Sequence, residues 1–407
     1  MNVLYVTMEF PSPSETFATN EVRTLAKNGV SVSVHSLRTR CPDARRLASE
    51  RGVTAIPTTH NSVRATLRGA WVAFSRPSRL IGALRWIVRS NRKDLRALFQ
   101  SVLLLPRAFD ILATIARSRP QVVHMYWGHF PAIVGYLVQR YLPSVVTSMS
   151  IVAYDLEREF GGTVDVARRA DLIRTHACAN LEHITRFTGV PRERVSVIYN
   201  GVDIEWLQGI SMEHAKVPRR FITVGQLTEL KGMREVLRAF SMIRARWTDA
   251  TLLVVGDGGD RAYLQAMSEA LSIEDSVEFL GHVSHQRVVE EMARAEVLLL
   301  LSRAVGERLP NVVKEGMTCR CVCITTPTPG ISELVEHRVT GFVVEHSDVA
   351  GVLQIVEDVF AGRIDAAELT SRAADHVRRS FNLDFTAVRY KTLWSDAIKK
   401  RRDRHLV

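Results

Sequence analysis

Cysteine is scarce in this chain, five residues among 407, and no two of them fall into an obvious pair. That excludes the disulfide framework of a small secreted domain and fits a reducing compartment. Three of the five stand together in "CRCVC" (Cys319, Cys321, Cys323). No second Cys/His cluster completes a metal site there, so small residues on a buried strand are the better account. Long apolar runs are missing as well, with none near the roughly 18 residues of a bilayer span. The opening "MNVLYVT" has neither a basic leader nor an extended apolar stretch, so no signal peptide is expected. Internal repeats and low-complexity linkers are also lacking. What remains is a globular chain longer than one core normally supports, which predicts two domains.

Acidic residues are nearly absent from one segment. Between Ser62 and Phe109, ten basic residues (Arg64, Arg68, Arg76, Arg79, Arg85, Arg89, Arg92, Lys93, Arg96, Arg107) face the single acid Asp94. The C-terminal "KKRRDRH" is basic too; the two stretches carry +9 and +4, so the rest of the chain is close to neutral against a net charge of +11. Trp71, Phe74, Trp86 and Phe99 are interleaved with the arginines. Aromatic rings among cations suit the headgroup level of an anionic membrane, and no nucleic acid is expected. The plainer alternative is a solvated helical face whose apolar side packs inward, since "LRALFQSVL" has the spacing of a packed helix.

What the sequence has in abundance is short apolar runs. "NVLYVT", "VSVSVHSL", "VVHMYW", "SVVTSM" and "VSVIYN" occupy the first half; "FITVGQL", "TLLVVGDG", "VEFLGHV", "EVLLLLS", "CVCITT" and "GFVVEH" the second. Helix-like segments separate most of them, such as "NEVRTLAKNG" with Gly29 as its stop. Continuous apolar strands alternating with helices predict α/β architecture with parallel sheets covered on both faces. The pattern breaks near "NGVD", which divides the chain into residues 1–202 and 203–384, with a helix over 385–407 packing back on the first domain. Two doubly wound domains facing across a cleft are expected, with ligands at the carboxyl ends of the strands.

The richest stretch is "GERLPNVVKEG", Gly306 to Gly316. It places Glu307 in a strand-to-helix loop, a helix start near Pro310, and Glu315 about 7.5 Å further along the helix axis. A helix N-terminus attracts phosphate, and carboxylates accept hydrogen bonds from paired hydroxyls. A ligand with a diphosphate, a ribose and a further polyol would use all three features; two solvated glutamates flanking an ordinary helix start would look the same. Lys231 in "VGQLTELKG" follows a strand and can act as a point charge on phosphate. The glycine-rich "VVGDGGD" and the turn "TPTPGISELV" converge on the same sheet edge.

With these residues in view, the chain resembles the retaining, nucleotide-sugar-dependent glycosyltransferases of the GT-B fold, family four, whose signature is E-x7-E. "NGVD", "VGQLTELKG", "GDG", "FLGHV", the strand ending in Ser302, Glu307-x7-Glu315, "PGISELV" and "GFVV" occur in the family's order. "PSPSETFATNEVRTLAKNG" is similar to the first loop and helix of the exopolysaccharide and lipopolysaccharide subgroup. The resemblance implies two Rossmann-like domains. It implies that Glu307 holds donor-sugar hydroxyls and Glu315 the ribose. Gly225, Gln226, Leu309, Pro310 and Asn311 would line the donor, and Lys231 would neutralise the leaving diphosphate without metal or cofactor. Glu15, Thr16, His124, His129 and Asp155 would stand on the acceptor side. Partners would be a nucleotide sugar (UDP- or GDP-linked), a lipid-linked or saccharide acceptor, and an anionic membrane through residues 62–109. The enzyme would work in the cytoplasm at the inner face of the membrane. Three departures stand out. Gln226 replaces the family's arginine, with Arg303 and Arg308 nearby as substitutes; Val152 replaces a histidine; Arg320 and Val322 replace Gly and Pro. The first two keep a second reading open, a partner subunit that binds nucleotide sugar without turnover.

Overall fold

The structure, a computed structural model, describes residues 1–12, 15–304 and 306–406. It divides into two compact units, one of residues Met1–Gly201 with Leu383–Val407 and one of Val202–Asn382. Pro13 and Ser14, part of the loop that resembles the subgroup's first loop, lie outside the described residues, as does Val305.

The first unit holds a seven-stranded sheet: β1 (Asn2–Thr7), β2 (Ser31–Ser36), β3 (Thr58–Thr59), β4 (Val122–Met125), β5 (Val146–Ser150), β6 (Leu172–Thr175) and β7 (Val195–Val197). Their order is β3-β2-β1-β4-β5-β6-β7, and every pairing is parallel. The second unit holds β8 (Arg220–Val224), β9 (Thr251–Val255), β10 (Val277–Gly281), β11 (Val297–Leu300), β12 (Val322–Thr325) and β13 (Phe342–Val343), in the order β10-β9-β8-β11-β12-β13, again parallel. In each sheet the strand order reverses beside the first strand, the position at which doubly wound sheets open a ligand crevice. All eleven apolar runs read from the sequence are strands. Cys319, Cys321 and Cys323 are buried around β12, and among the described residues no three metal-ligating side chains converge.

Two strands escaped the sequence. β3 is only two residues long, and β6 carries a charge at its centre. Arg174 is fully buried there, donating from Nη2 to Glu21 Oε2 at 2.9 Å and from Nε to the Tyr390 hydroxyl at 2.5 Å. Tyr390 belongs to the helix Leu383–Leu406, so this buried cation fastens that helix to the first sheet. Trp394 of the same helix donates from Nε1 to Ser148 Oγ at 3.1 Å.

The basic segment forms three helices, Val63–Phe74, Pro77–Ser90 and Leu95–Ser118. The last has the length and composition to cross a membrane, which the sequence had not led us to expect because its charges interrupt the apolar run. Half of that stretch is nevertheless buried in the domain core. Its inward face carries Arg107, which donates to Asp110 at 2.5 Å and to Ser36 O at 3.0 Å. The outward face is apolar too, so the helix is not simply a packed face backed by solvated charge. Trp86 corrects a second expectation. It is 7% exposed, stacked on Tyr136 at 4.4 Å, and donates to Asp165 at 3.0 Å, so it is not available for membrane contact.

Beside Arg107, burial lowers the His35 imidazole to about 4, and the nearby guanidinium acts in the same direction while Asp110 opposes it. His35 Nδ1 lies 2.7 Å from Thr59 Oγ1. The folded state keeps this ring neutral where the unfolded chain, with its imidazole near 6.5, takes up a proton. Stability is therefore expected to fall as pH drops from about 6.5 to 4 and to level off below, by about 3 kcal/mol from this group alone. The buried His124, also lowered, adds to the slope. Urea unfolding across that window should show a shallower loss for His35→Gln than for the parent; equal slopes would contradict the assignment.

Candidate active site

The carboxyl ends of β8 and β11 bring Lys231 and Glu307 together. After β8 the chain turns through a short 3-10 segment, Glu229–Lys231. Gly232 follows with φ of 68°, and a Cβ there would sit 1.8 Å from Leu301 O. Only glycine lets this turn press against the end of β11. Ser302 Oγ and Arg303 N both donate to Leu230 O, at 3.2 and 2.8 Å, and complete the junction. Lys231 Nζ then lies 2.5 Å from Glu307 Oε1, with both side chains largely enclosed. The second carboxylate oxygen of Glu307 is buried without a hydrogen-bond partner. A buried, unmatched acceptor beside a cation is costly to leave unmade, and a ligand hydroxyl satisfies it.

The helix Asn311–Thr318 starts just after this loop, with Pro310 as its N-cap and Leu309 and Pro310 buried. Glu315 accepts from His285 Nε2 at 2.9 Å, and the Trp206 ring lies against His285 at 4.9 Å between centroids. His285 and Trp206 were not singled out from the sequence. The only available signal was a histidine opening the helix after "LGHVS". Lys314, next to Glu315, is fully buried, and burial pulls its amine down to about 7; Nζ donates to Asn311 Oδ1 at 3.1 Å. Gly225 donates its N–H to Val255 O at 3.0 Å, which sets the exposed Gln226 on the same edge. Arg303 is not a free substitute for the missing arginine. It donates to Glu235 at 2.8 Å and also bonds Ser347. Arg320 keeps a left-handed φ of 62° where the resemblance expects glycine.

In the first unit the acceptor-side candidates separate. His124 is corrected: it is fully enclosed within β4, with Ser148 Oγ 2.8 Å from Nδ1 and Ser150 Oγ 3.1 Å from Nε2. Both ring nitrogens are used, so it meets no ligand. His129 and Asp155 are brought together. Asp155 Oδ1 accepts from the His129 N–H at 3.1 Å and lies 2.7 Å from Nδ1, while Oδ2 accepts from the Val152 N–H at 3.0 Å. A carboxylate on Nδ1 fixes the tautomer and leaves Nε2 as the working edge. Val152, where the family's histidine is expected, caps the helix Ala153–Arg158 through its backbone. Glu15 stands at the N-cap position of the helix Thr16–Lys27 without a side-chain cap bond, and burial raises its carboxyl to about 7. Thr16 contributes a carbonyl to Thr19 Oγ1 at 2.7 Å.

Two Rossmann-like units, each a parallel sheet with a strand-end crevice, are the architecture of the GT-B transferases. Two family models agree: the one described as glycosyl transferases group 1 matches residues 210–376, and that of glycosyltransferase family 4 matches residues 14–206. Together they span most of the chain, which belongs to the group 1 GT-B glycosyltransferases. Among solved structures, Anabaena HepE in complex with UDP superposes with a TM-score of 0.71 at 16% identity, covering 97% of this chain and 100% of that one. Among curated relatives, the N-acetyl-alpha-D-glucosaminyl L-malate synthase of Bacillus anthracis is 26% identical over 70% of this chain and 76% of its own length. The amylovoran biosynthesis glycosyltransferase AmsK of Erwinia amylovora is 25% identical over 48% of this chain and 49% of its own, so the match spans about half of that relative.

Proposed function

We propose that this protein is an active retaining glycosyltransferase, independent of metal. It moves a sugar from a nucleotide-diphosphate sugar, UDP- or GDP-linked, to a lipid-linked or saccharide acceptor in surface polysaccharide synthesis. The observation that carries the reading is the Lys231–Glu307 pair with its unmatched carboxylate oxygen. In this reading Glu307 takes hydroxyls of the donor sugar and Lys231 meets the leaving diphosphate, assisted by the start of the helix Asn311–Thr318. A fixed charge aimed at the departing group lowers the barrier as charge develops there. Glu315 takes the ribose hydroxyls, and the acceptor hydroxyl attacks from the face that the diphosphate leaves. UDP in a fold neighbour supports a nucleotide donor, and AmsK supports a polysaccharide product. The enzyme works from the cytoplasm at the inner membrane face, held there by the helices of residues 62–109.

The test is turnover of a panel of nucleotide sugars with membrane extract, in excess chelator. Transfer with retained anomeric configuration and full activity in chelator is the expected result. Loss of activity restored by manganese or magnesium would overturn metal independence. The second reading rests on Gln226 and Val152, and UDP binding with no transfer to any acceptor would establish it instead.

A further inference from the structure

The first unit contains a cavity of about 480 Å³ that the donor chemistry does not use. Its wall combines the turn between the helices Pro77–Ser90 and Leu95–Ser118 with His129, Phe130, Tyr154 and the start of the helix Gly161–Arg169. Six cations stand around it: Arg38, Arg89, Arg92, Lys93, Arg96 and Arg158. Elsewhere in this unit Arg68, Arg107, Arg174 and Arg401 each meet a carboxylate. Among the described residues, none of the six does. The two acids on the wall have other duties. Asp94 Oδ1 accepts from the Ala97 N–H at 2.9 Å, and Glu159 bonds His183 at 3.0 Å.

Two further observations mark the cavity as built for an occupant. The Ser90 hydroxyl on its wall is buried with no hydrogen-bond partner. Two of its wall residues are also pressed into a contact that admits no side chain, since a Cβ on Gly161 would lie 1.9 Å from Ser90 O. Unpaired like charges repel, and an arginine-rich cavity with an unmatched hydroxyl is neutralised and satisfied by a phosphate group. The helix that supplies Arg96 and Gln100 to the wall also carries an exposed apolar stripe, Leu95, Phe99 and Leu103, each next in sequence to or within three residues of a wall residue.

We propose that this cavity holds the diphosphate of a lipid-linked acceptor, with its chain lying along Leu95, Phe99 and Leu103. This rests on the acceptor half of the transferase reading. His129 Nε2, fixed by Asp155, and the rings of Tyr154 and Phe130 then face the first sugar of that acceptor.

The experiment is calorimetric titration of the full chain at physiological salt, with the donor site saturated by UDP so that diphosphate probes cannot enter it. The probes are farnesyl diphosphate, inorganic pyrophosphate and farnesol. Farnesyl diphosphate should bind, pyrophosphate should bind more weakly, and farnesol should not bind. Changing Arg92, Arg96 and Arg158 to Gln should weaken both diphosphates by at least about tenfold, the loss of one charge-assisted contact, with UDP affinity and melting temperature unchanged. Leu95→Ser with Phe99→Ser should weaken only the farnesyl probe. Equal binding to parent and arginine variant, or no diphosphate binding while UDP binds, overturns the cavity assignment and leaves the transferase reading standing. Equal affinity for pyrophosphate and farnesyl diphosphate overturns the lipid half. Where UDP does not bind, GDP takes its place as the saturating nucleotide, and failure of both to bind overturns the transferase reading instead.

Discussion

Glu307→Gln is expected to cut sugar transfer by about two to three orders of magnitude, the usual loss when one group aimed at the reacting centre is removed. UDP affinity should stay the same or tighten. The sign follows from the pair. In the free protein Glu307 neutralises Lys231 at 2.5 Å, and the glutamine amide releases that charge to meet a diphosphate. Lys231→Met should behave differently, weakening UDP and transfer together. Glu315→Ala should lose nucleotide affinity by about ten- to a hundredfold, one hydrogen bond to a charged acceptor being worth about 1.5–3 kcal/mol. The vacated His285 remains partly exposed and is resolvated at little cost. Titration with UDP and initial rates on one donor separate the three variants. Unchanged UDP affinity in Glu315→Ala would remove the ribose assignment, and undiminished transfer by Glu307→Gln would remove the donor-sugar assignment.

The sequence made the sheets legible because strands of a parallel sheet are buried on both faces and read as continuous apolar runs. β6 broke that rule through Arg174, whose neutralising partner Glu21 is 153 residues away. No window of sequence shows a pairing of that range. The Glu307–Glu315 spacing was legible because a single loop and helix carry both residues. The partners of those residues were not: Lys231 is 76 residues from Glu307, and His285 is 30 residues from Glu315. His124 and His129 looked alike in "HMYWGH". The end of β4 at Met125 separates them, leaving His124 inside the sheet and releasing His129 beyond it, where it reaches Asp155. Arg89, Arg92 and Arg96 were visible as a charged block. That Arg38 and Arg158 join them around one cavity depends on the fold alone.

Contact with an anionic membrane through residues 62–109 is a proposal that the exposed side chains there make testable. Val63, Leu67, Trp71 and Phe74 form one exposed stripe along their helix, and Trp71 and Phe74 are each 72% exposed. Their exposure in the folded protein means that insertion costs no unfolding. Anchoring by spanning is unlike this geometry, because among the described residues the one sufficiently apolar helix buries Phe109, Ile111 and Ile115 in the core. Arg68 and Arg107 are held by Asp110, whereas Arg64, Arg76 and Arg85 are exposed and lie off the cavity wall. At about 1 kcal/mol per basic residue near an anionic surface, changing these three to Gln should weaken partition to anionic vesicles by about a hundredfold. That loss should shrink as salt rises, since the reach of exposed charge is only about 8 Å at physiological ionic strength. Changing Trp71 and Phe74 to Ser should also release the protein, by an amount that salt alters little, because apolar insertion is not screened. Co-sedimentation over a salt series distinguishes the two contributions. If neutral vesicles take up the parent as well as anionic ones do, or if the parent stays in solution at low salt, these helices face water or a protein rather than the bilayer.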